Sequence, residues 1–252
     1  MNKYFDINVQ GYSIRCKLYY NKDLHNHTDV VIATYGFGGN KDNKAIEKFA
    51  DRITTKYKGY VVVTFDWPCH GMDARNQLIA DECMLYMDMV VNYCREELKA
   101  ERIYNYSSSF GAYITLRYIQ EKGSNPFDRT AFRCAAIKMY DALAQGISED
   151  DWNKLNKGKE ILRGHERKIK VTKEFLDDIR EHDVAAYDYM EYADDIIMIH
   201  GTKDEAVPIS VAEEFSENNI IELYPVQNAD HPFSNPDYMD FAIQKMIEFF
   251  RK

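Results

Sequence analysis

Short apolar, β-branched runs alternate with helical stripes along most of the chain. The run at 30–34 is followed by residues 43–57, where Ile46, Phe49, Ala50 and Ile53 recur at helical spacing. The run at 60–65 precedes a long helix with Leu78, Met87, Val90, Val91, Cys94 and Leu98 on its inner side. Residues 102–106 precede a helix from Phe110 to Lys122, which Gly123 can close as a left-handed cap. Further strands are expected at 134–139, 196–199 and 220–224, and a last helix begins at Pro236 and buries Met239, Ile243, Met246, Ile247 and Phe250.

The first 20 residues differ, because strict alternation on either side of Gly11 reads as an antiparallel hairpin at one sheet edge. Strands alternating with helices elsewhere require a mostly parallel central sheet of about eight strands, flanked by helices on both faces. From Ser148 to Asp183 roughly half the residues are charged and no β-run stands out. That stretch reads as a small helical cap, an insertion spanning 141–190 after the sixth strand of a single domain over 1–252.

Composition narrows the partners. Acidic residues outnumber basic ones, 41 to 32, for a net charge of −9, which disfavours nucleic acid and anionic membrane. Five cysteines without paired spacing read as reduced, packed thiols. The N-terminus lacks the apolar core of a signal peptide, and no stretch of about 18 apolar residues occurs. A soluble cytoplasmic protein is expected, with a homodimer left open.

Candidate chemistry centres on Tyr106-Ser107-Ser108-Ser109-Phe110-Gly111, between a strand and a helix. Ser109 has small residues two positions before and after it, as a sharp strand-to-helix turn requires, and such a turn lifts the central side chain above the sheet. The plain alternative is a serine N-cap. A serine nucleophile needs a base, an orienting acid and an oxyanion hole. His231 follows the last strand and Asp204 the one before it; Tyr35-Gly36-Phe37-Gly38-Gly39 can offer the amide of Phe37 to join that of Phe110. Rivals are Ser107 and Ser108 for the nucleophile, the neighbours Cys69 and His70 as a thiol–imidazole pair, and Asp177, Asp178, Asp183 and Asp230 for the acid. His200 is expected to pack locally. His25 and His27 near Asp23 and Asp29 are the candidate metal ligands, although a solvated loop is the simpler account.

The elbow Ser-x-Ser-x-Gly, the Tyr-Gly-Phe-Gly-Gly turn, Asp66-Trp67-Pro68-Cys69-His70-Gly71, His200-Gly201-Thr202-Lys203-Asp204 and Ala229-Asp230-His231-Pro232-Phe233 together resemble the α/β-hydrolase superfamily, over nearly the whole chain. Within it the chain is similar to small bacterial carboxylesterases of the cinnamoyl or feruloyl esterase type. The resemblance implies an α/β-hydrolase fold, a Ser109, Asp204 and His231 triad, oxyanion donors at Phe37 and Phe110, a small-molecule ester substrate, and neither cofactor nor metal. The sequence departs from that pattern twice. Tyr35 stands where the oxyanion turn usually has histidine, and so organises the loop differently or lines the acyl pocket. Ser107 replaces the elbow's first glycine. Tyr35, Trp67, Met139, Tyr140, Asp141 and Trp152 are the candidate substrate contacts, with Asp141 expected just after the sixth strand. Other classes compatible with the pattern are an acyl-CoA thioesterase using cap cations such as Lys157, Lys159 and Arg163, an acylaminoacyl-peptidase-like hydrolase, a lipase, and a non-catalytic ligand-binding module.

Overall fold

The computed structural model describes residues 1–22, 28–164 and 167–252. The candidate metal ligands Asp23, His25 and His27 therefore lie outside the described residues. In chain order the elements are β1 (Asn2–Val9), β2 (Tyr12–Tyr19), β3 (Asp29–Thr34), α1 (Lys44–Lys56), β4 (Tyr60–Phe65), α2 (Ala80–Glu96), β5 (Arg102–Ser108), α3 (Phe110–Lys122) and β6 (Arg129–Arg133). An excursion follows with α4 (Met139–Ala144), α5 (Glu149–Asn156), β7 (Ile161–Arg163), β8 (Ile169–Val171) and α6 (Lys173–Glu181). The chain then returns as β9 (Ile196–Gly201), α7 (Ile209–Asn219), β10 (Glu222–Val226) and α8 (Pro236–Phe250).

Eight strands form one sheet in the order β1-β2-β4-β3-β5-β6-β9-β10. The β1–β2 hairpin and the β2–β4 pairing are antiparallel, and every other neighbour is parallel. Strands β3 and β4 are buried at every position, as expected of strands covered on both faces. Local chemistry explains the helix starts. The Asn43 side chain accepts the N–H groups of Ala45 and Ile46 at the head of α1. Asn235 caps α8 with Pro236 in its first turn, where a missing N–H costs nothing.

Two expectations are corrected. The sixth strand is Arg129–Arg133 rather than 134–139: its register pairs Ser108 with Arg133, and Cys134 leaves the sheet with a φ of +47°. The apolar run after it is instead a buried turn leading into α4, so Asp141 lies on that helix and not at a strand end. The charged excursion is not wholly helical either. It contains the antiparallel β7–β8 pair, with Ile161, Ile169 and Val171 facing inward.

Buried Arg117 of α3 ties the excursion down, binding Asp178 of α6, Asp81 of α2 and Glu121 of its own helix. Arg167, which precedes β8, lies against the loop after β3: a Cβ on Gly38 would meet its carbonyl at 2.8 Å, and its guanidinium donates to the Gly71 carbonyl. All five cysteines are buried and unpaired with one another. Among the described residues no helix is long and apolar enough to cross a membrane.

Candidate active site

Parallel register brings the carboxyl ends of β3, β5, β6, β9 and β10 to one edge, and the loops leaving them meet there. At the end of β5 the chain reverses into α3 through Ser109, whose φ of 52° and ψ of −117° lie outside the regions open to ordinary side chains. The Ser109 hydroxyl makes no capping bond to α3, so the N-cap account fails. The turn is this tight because Gly111 runs against β3, where an added Cβ would lie 2.3 Å from Thr34 Oγ1. Strain of this kind persists only where its surroundings enforce it, and it clusters at functional sites.

Ser107 is fully buried and held by other polar groups. Its Oγ accepts from Thr34 Oγ1 at 2.7 Å, donates to Asn105 Oδ1 at 2.7 Å and lies 3.0 Å from Thr115 Oγ1. Ser108 is buried, whereas Ser109 is partly exposed.

After β9, Asp204 is 6% exposed and its carboxylate is surrounded by donors. Oδ1 accepts the backbone N–H groups of Ala206 and Val207 at 3.0 and 2.8 Å. Oδ2 lies 2.7 Å from Nδ1 of His231. A carboxylate only accepts, so Nδ1 of His231 carries the proton and Nε2 is left as the basic nitrogen. His200, expected only to pack locally, also reaches Oδ2: its Nε2 is 3.3 Å away and donates at 2.8 Å to the Val207 carbonyl. Burial opposes the charge on Asp204, but the bonds from His200 and His231 outweigh it and hold the carboxyl well below the usual range.

Cys134 joins Asp204 and His200 in a tight buried cluster of ligating side chains. Burial pushes its thiol up to about 12.

The rival acids have other partners. Asp177 binds Lys173 and Arg180, Asp178 binds Arg117, Asp183 binds Lys138, and Asp230 accepts from the backbone and hydroxyl of Ser234. Asp29 of the candidate metal group is held by Arg102.

The loop after β3 lies directly against the elbow. Gly39 N–H donates to the Gly36 carbonyl, closing a turn around Phe37, and Gly111 N–H donates to the Tyr35 carbonyl. Phe110 is the first residue of α3, so its N–H has no partner within the helix. The rings of Phe37, Phe110 and His70 pack together: Phe37 meets the other two edge-on at 5.6 and 5.5 Å, and His70 stacks on Phe110 at 5.8 Å. His70 donates from Nδ1 to the Pro68 carbonyl at 2.8 Å, and burial lowers its pKa to about 4, so it is neutral. The Cys69 thiol beside it is pushed up to about 12, chiefly by burial, which leaves no thiolate–imidazolium pair.

The candidate substrate contacts divide. Tyr35 has no exposed surface, and its hydroxyl accepts the Trp67 N–H at 2.9 Å and faces Asp66, whose carboxylate is bound by both the backbone and the Nζ of Lys41. That burial speaks against its expected place in an acyl pocket, and its hydrogen bonds run instead to groups beneath the loop. Trp67 is likewise fully buried, between Phe65 and Phe110. Met139 is buried at the start of α4, and Tyr140 and Asp141 line a small cavity of about 120 Å³ with Ile179 and Arg180. Trp152 is half-buried on α5. A wider depression of about 640 Å³ opens beside His231, between Lys203, Glu205, Asn228, Ser234 and Tyr238. A further concavity of about 690 Å³ lies at the amino ends of the strands, around Asp29, Tyr60 and Arg102, away from the site.

No protein-family model and no curated protein sequence matches the chain. Solved structures do. Est1E from Butyrivibrio proteoclasticus, determined with ferulic acid bound, superposes with a TM-score of 0.79 at 17% identity, covering 98% of this chain and 100% of that one. The chain has the α/β-hydrolase fold. The esterase domain of a Rhodothermus marinus protein matches at TM-score 0.69 and 16% identity over 100% of this chain and 98% of its own. An esterase from Pyrococcus furiosus matches at 0.70 and 17%, over 100% and 92%. In this chain the strand-to-helix turn at Ser109 follows β5, the loop of Asp204 follows β9 and the loop of His231 follows β10.

The sequence reading missed Arg133, which lies beside the elbow on β6, and the buried Lys41–Asp66 pair under the loop after β3. Arg133 went unrecognised because the sixth strand was placed after it. Lys41 and Asp66 are 25 residues apart with no motif between them.

Proposed function

We propose that this protein is a serine hydrolase of carboxylic esters, with Ser109 as nucleophile, His231 as base and Asp204 as orienting acid. The observation that carries the reading is the 2.7 Å bond from His231 Nδ1 to Asp204, on the same sheet edge where Ser109 sits in a strained elbow. His231 Nε2 takes the hydroxyl proton as Ser109 Oγ attacks the acyl carbon. The amides of Phe37 and Phe110 then stabilise the negative charge developing on the carbonyl oxygen. The tetrahedral intermediate collapses, the ester C–O bond breaks, and His231 hands its proton to the departing alcohol. Water, deprotonated by the same imidazole, attacks the acyl-enzyme and releases the acid.

The substrate we favour is an ester of a hydroxycinnamic or other small acid. Support comes from the fold shared with Est1E, in which ferulic acid is bound.

Two measurements test the proposal. Wild-type protein should take a fluorophosphonate label and hydrolyse p-nitrophenyl butyrate, and Ser109→Ala should lose on the order of 10⁴-fold or more in kcat. Retention of more than a tenth of the activity sinks the assignment. Asp204→Asn should remain folded and lose on the order of 10⁴-fold in kcat, because the imidazole then takes the wrong tautomer. The kcat/KM ratio for methyl ferulate over p-nitrophenyl butyrate tests the acyl preference, and a ratio near zero removes the cinnamoyl reading while leaving the triad.

A further inference from the structure

Arg133, the last residue of β6, touches both halves of the site. Its backbone carbonyl accepts the Ser109 N–H at 3.2 Å, and its Nη1 donates at 2.7 Å to the carbonyl of His231. The guanidinium lies 5.3 Å from the centre of the Phe233 ring, two residues beyond His231. The residue is only 7% exposed and forms no ion pair among the described residues. Among those residues no carboxylate touches the guanidinium, although the Asp204 charge favours it from further off, and burying a guanidinium without a contacting carboxylate is costly.

The remaining bonds of the histidine loop run elsewhere. Lys203 N–H donates to the Ala229 carbonyl, Thr202 N–H to Val226, and Asn228 N–H to the Thr202 hydroxyl. Those contacts, with the His231–Asp204 bond, join the histidine loop to the acid loop. The acid loop leaves β9, which pairs with β6, but among the described residues none of these bonds runs from the histidine loop directly to β6 or the elbow. The Arg133 side chain bonds the peptide of His231 to the strand whose end carbonyl holds Ser109.

We infer that Arg133 is a positioning residue, which keeps the His231 loop in register with the Ser109 elbow. The inference rests on the esterase reading and concerns the distance between base and nucleophile, not the pairing of base and acid. Removing the tether leaves the Asp204–His231 bond intact and lengthens the proton-transfer contact. The consequence falls on the chemical step rather than on substrate binding.

The test compares Arg133→Met and Arg133→Lys with wild type and Ser109→Ala. Readouts are p-nitrophenyl butyrate kinetics, fluorophosphonate labelling rate, thermal unfolding, and the low-field proton NMR signal of the imidazole Nδ1–H bonded to Asp204. Arg133→Met is expected to keep that signal, hold KM within about threefold, and lose on the order of 10²-fold in both kcat and labelling rate. Arg133→Lys should recover part of the loss, since its single ammonium can reach the carbonyl without matching the guanidinium's placement. A kcat within about twofold of wild type for Arg133→Met overturns the inference, as does loss of the low-field signal, which would mean that Arg133 supports the acid–base pair instead. If the methionine variant does not fold, the lysine variant decides: reduced kcat at unchanged KM supports the tether, and unchanged kcat overturns it. A wild type that takes no label and cleaves no ester removes the esterase reading, and Arg133's role with it. An active wild type, an inert Ser109→Ala and unaffected Arg133 variants remove this inference alone.

Discussion

Gly36 faces Ser109 across the gap between the β3 loop and the elbow: a Cβ built on Gly36 would lie 3.1 Å from Ser109 Cβ and 3.4 Å from its Oγ. The space above the proposed nucleophile is therefore set by the absence of a single methyl group. Gly36→Ala is expected to push the loop or the serine by a few tenths of an ångström. Misplacement on that scale should lower kcat about tenfold or more, with little change in thermal midpoint. Ester kinetics and a melting curve on the same preparation check it, and an unchanged kcat would show that the loop yields without disturbing the site.

Ser109 holds a left-handed φ of 52° with a ψ of −117°, a combination that glycine adopts far more readily than serine. Ser109→Gly should therefore be inactive yet more stable than Ser109→Ala, by about 1 kcal/mol or more, because only glycine relieves the strain. In a chain of this size that corresponds to a rise of about 2–4 °C in Tm. Equal midpoints for the two variants would mean that the elbow stores no strain.

His70 supplies a pH dependence to the fold. Its folded pKa of about 4, lowered by burial, lies below the value of about 6.5 expected in the unfolded chain. Between those values the unfolded state binds a proton that the folded state excludes. This contribution to stability is therefore complete above about pH 6.5 and is lost as pH falls toward 4. His70→Phe keeps a ring against Phe110 and Phe37 but removes the titration. Urea unfolding at pH 7 and pH 5 should show wild type losing about 2 kcal/mol more than the variant on acidification. Parallel losses would assign the acid sensitivity elsewhere.

Tyr35→Phe probes the residue that replaces the usual histidine. The substitution strands the buried N–H of Trp67, which the Tyr35 hydroxyl accepts at 2.9 Å, and should destabilise by about 1–3 kcal/mol. Since Tyr35 immediately precedes the turn that presents Phe37, kcat should fall as well, and KM should not, because the side chain is buried away from substrate. A raised KM with unchanged kcat would return Tyr35 to the acyl pocket.

Much of this architecture follows from the sequence alone, because the signals that specify it are local. Helix α3 runs from Phe110 to Lys122 and closes at Gly123, and α8 begins at Pro236, as capping chemistry and helical spacing require. The alternation on either side of Gly11 forms the β1–β2 hairpin. The turn at Ser109 and the loops that carry Asp204 and His231 were placed at strand ends for the same reason, since each follows its own apolar run.

Tertiary structure decided what depends on partners distant in sequence. The sixth strand runs over Arg129–Arg133 because β5 and β9 pair with it there, although the run after it is more apolar. The three-residue strands β7 and β8 are stabilised by each other and by the core beneath Ile161, Ile169 and Val171, and neither is long enough to show a period. Asp204 was one of five acids compatible with the chain order; only in the fold does it alone reach His231, while the other four bind their own partners. Tyr35, Trp67 and Arg133 show the same limit. Whether an aromatic or charged side chain faces substrate, core or a neighbouring carbonyl depends on what packs against it, and the partners that hold Tyr35 and Arg133 lie 32 and 98 residues away.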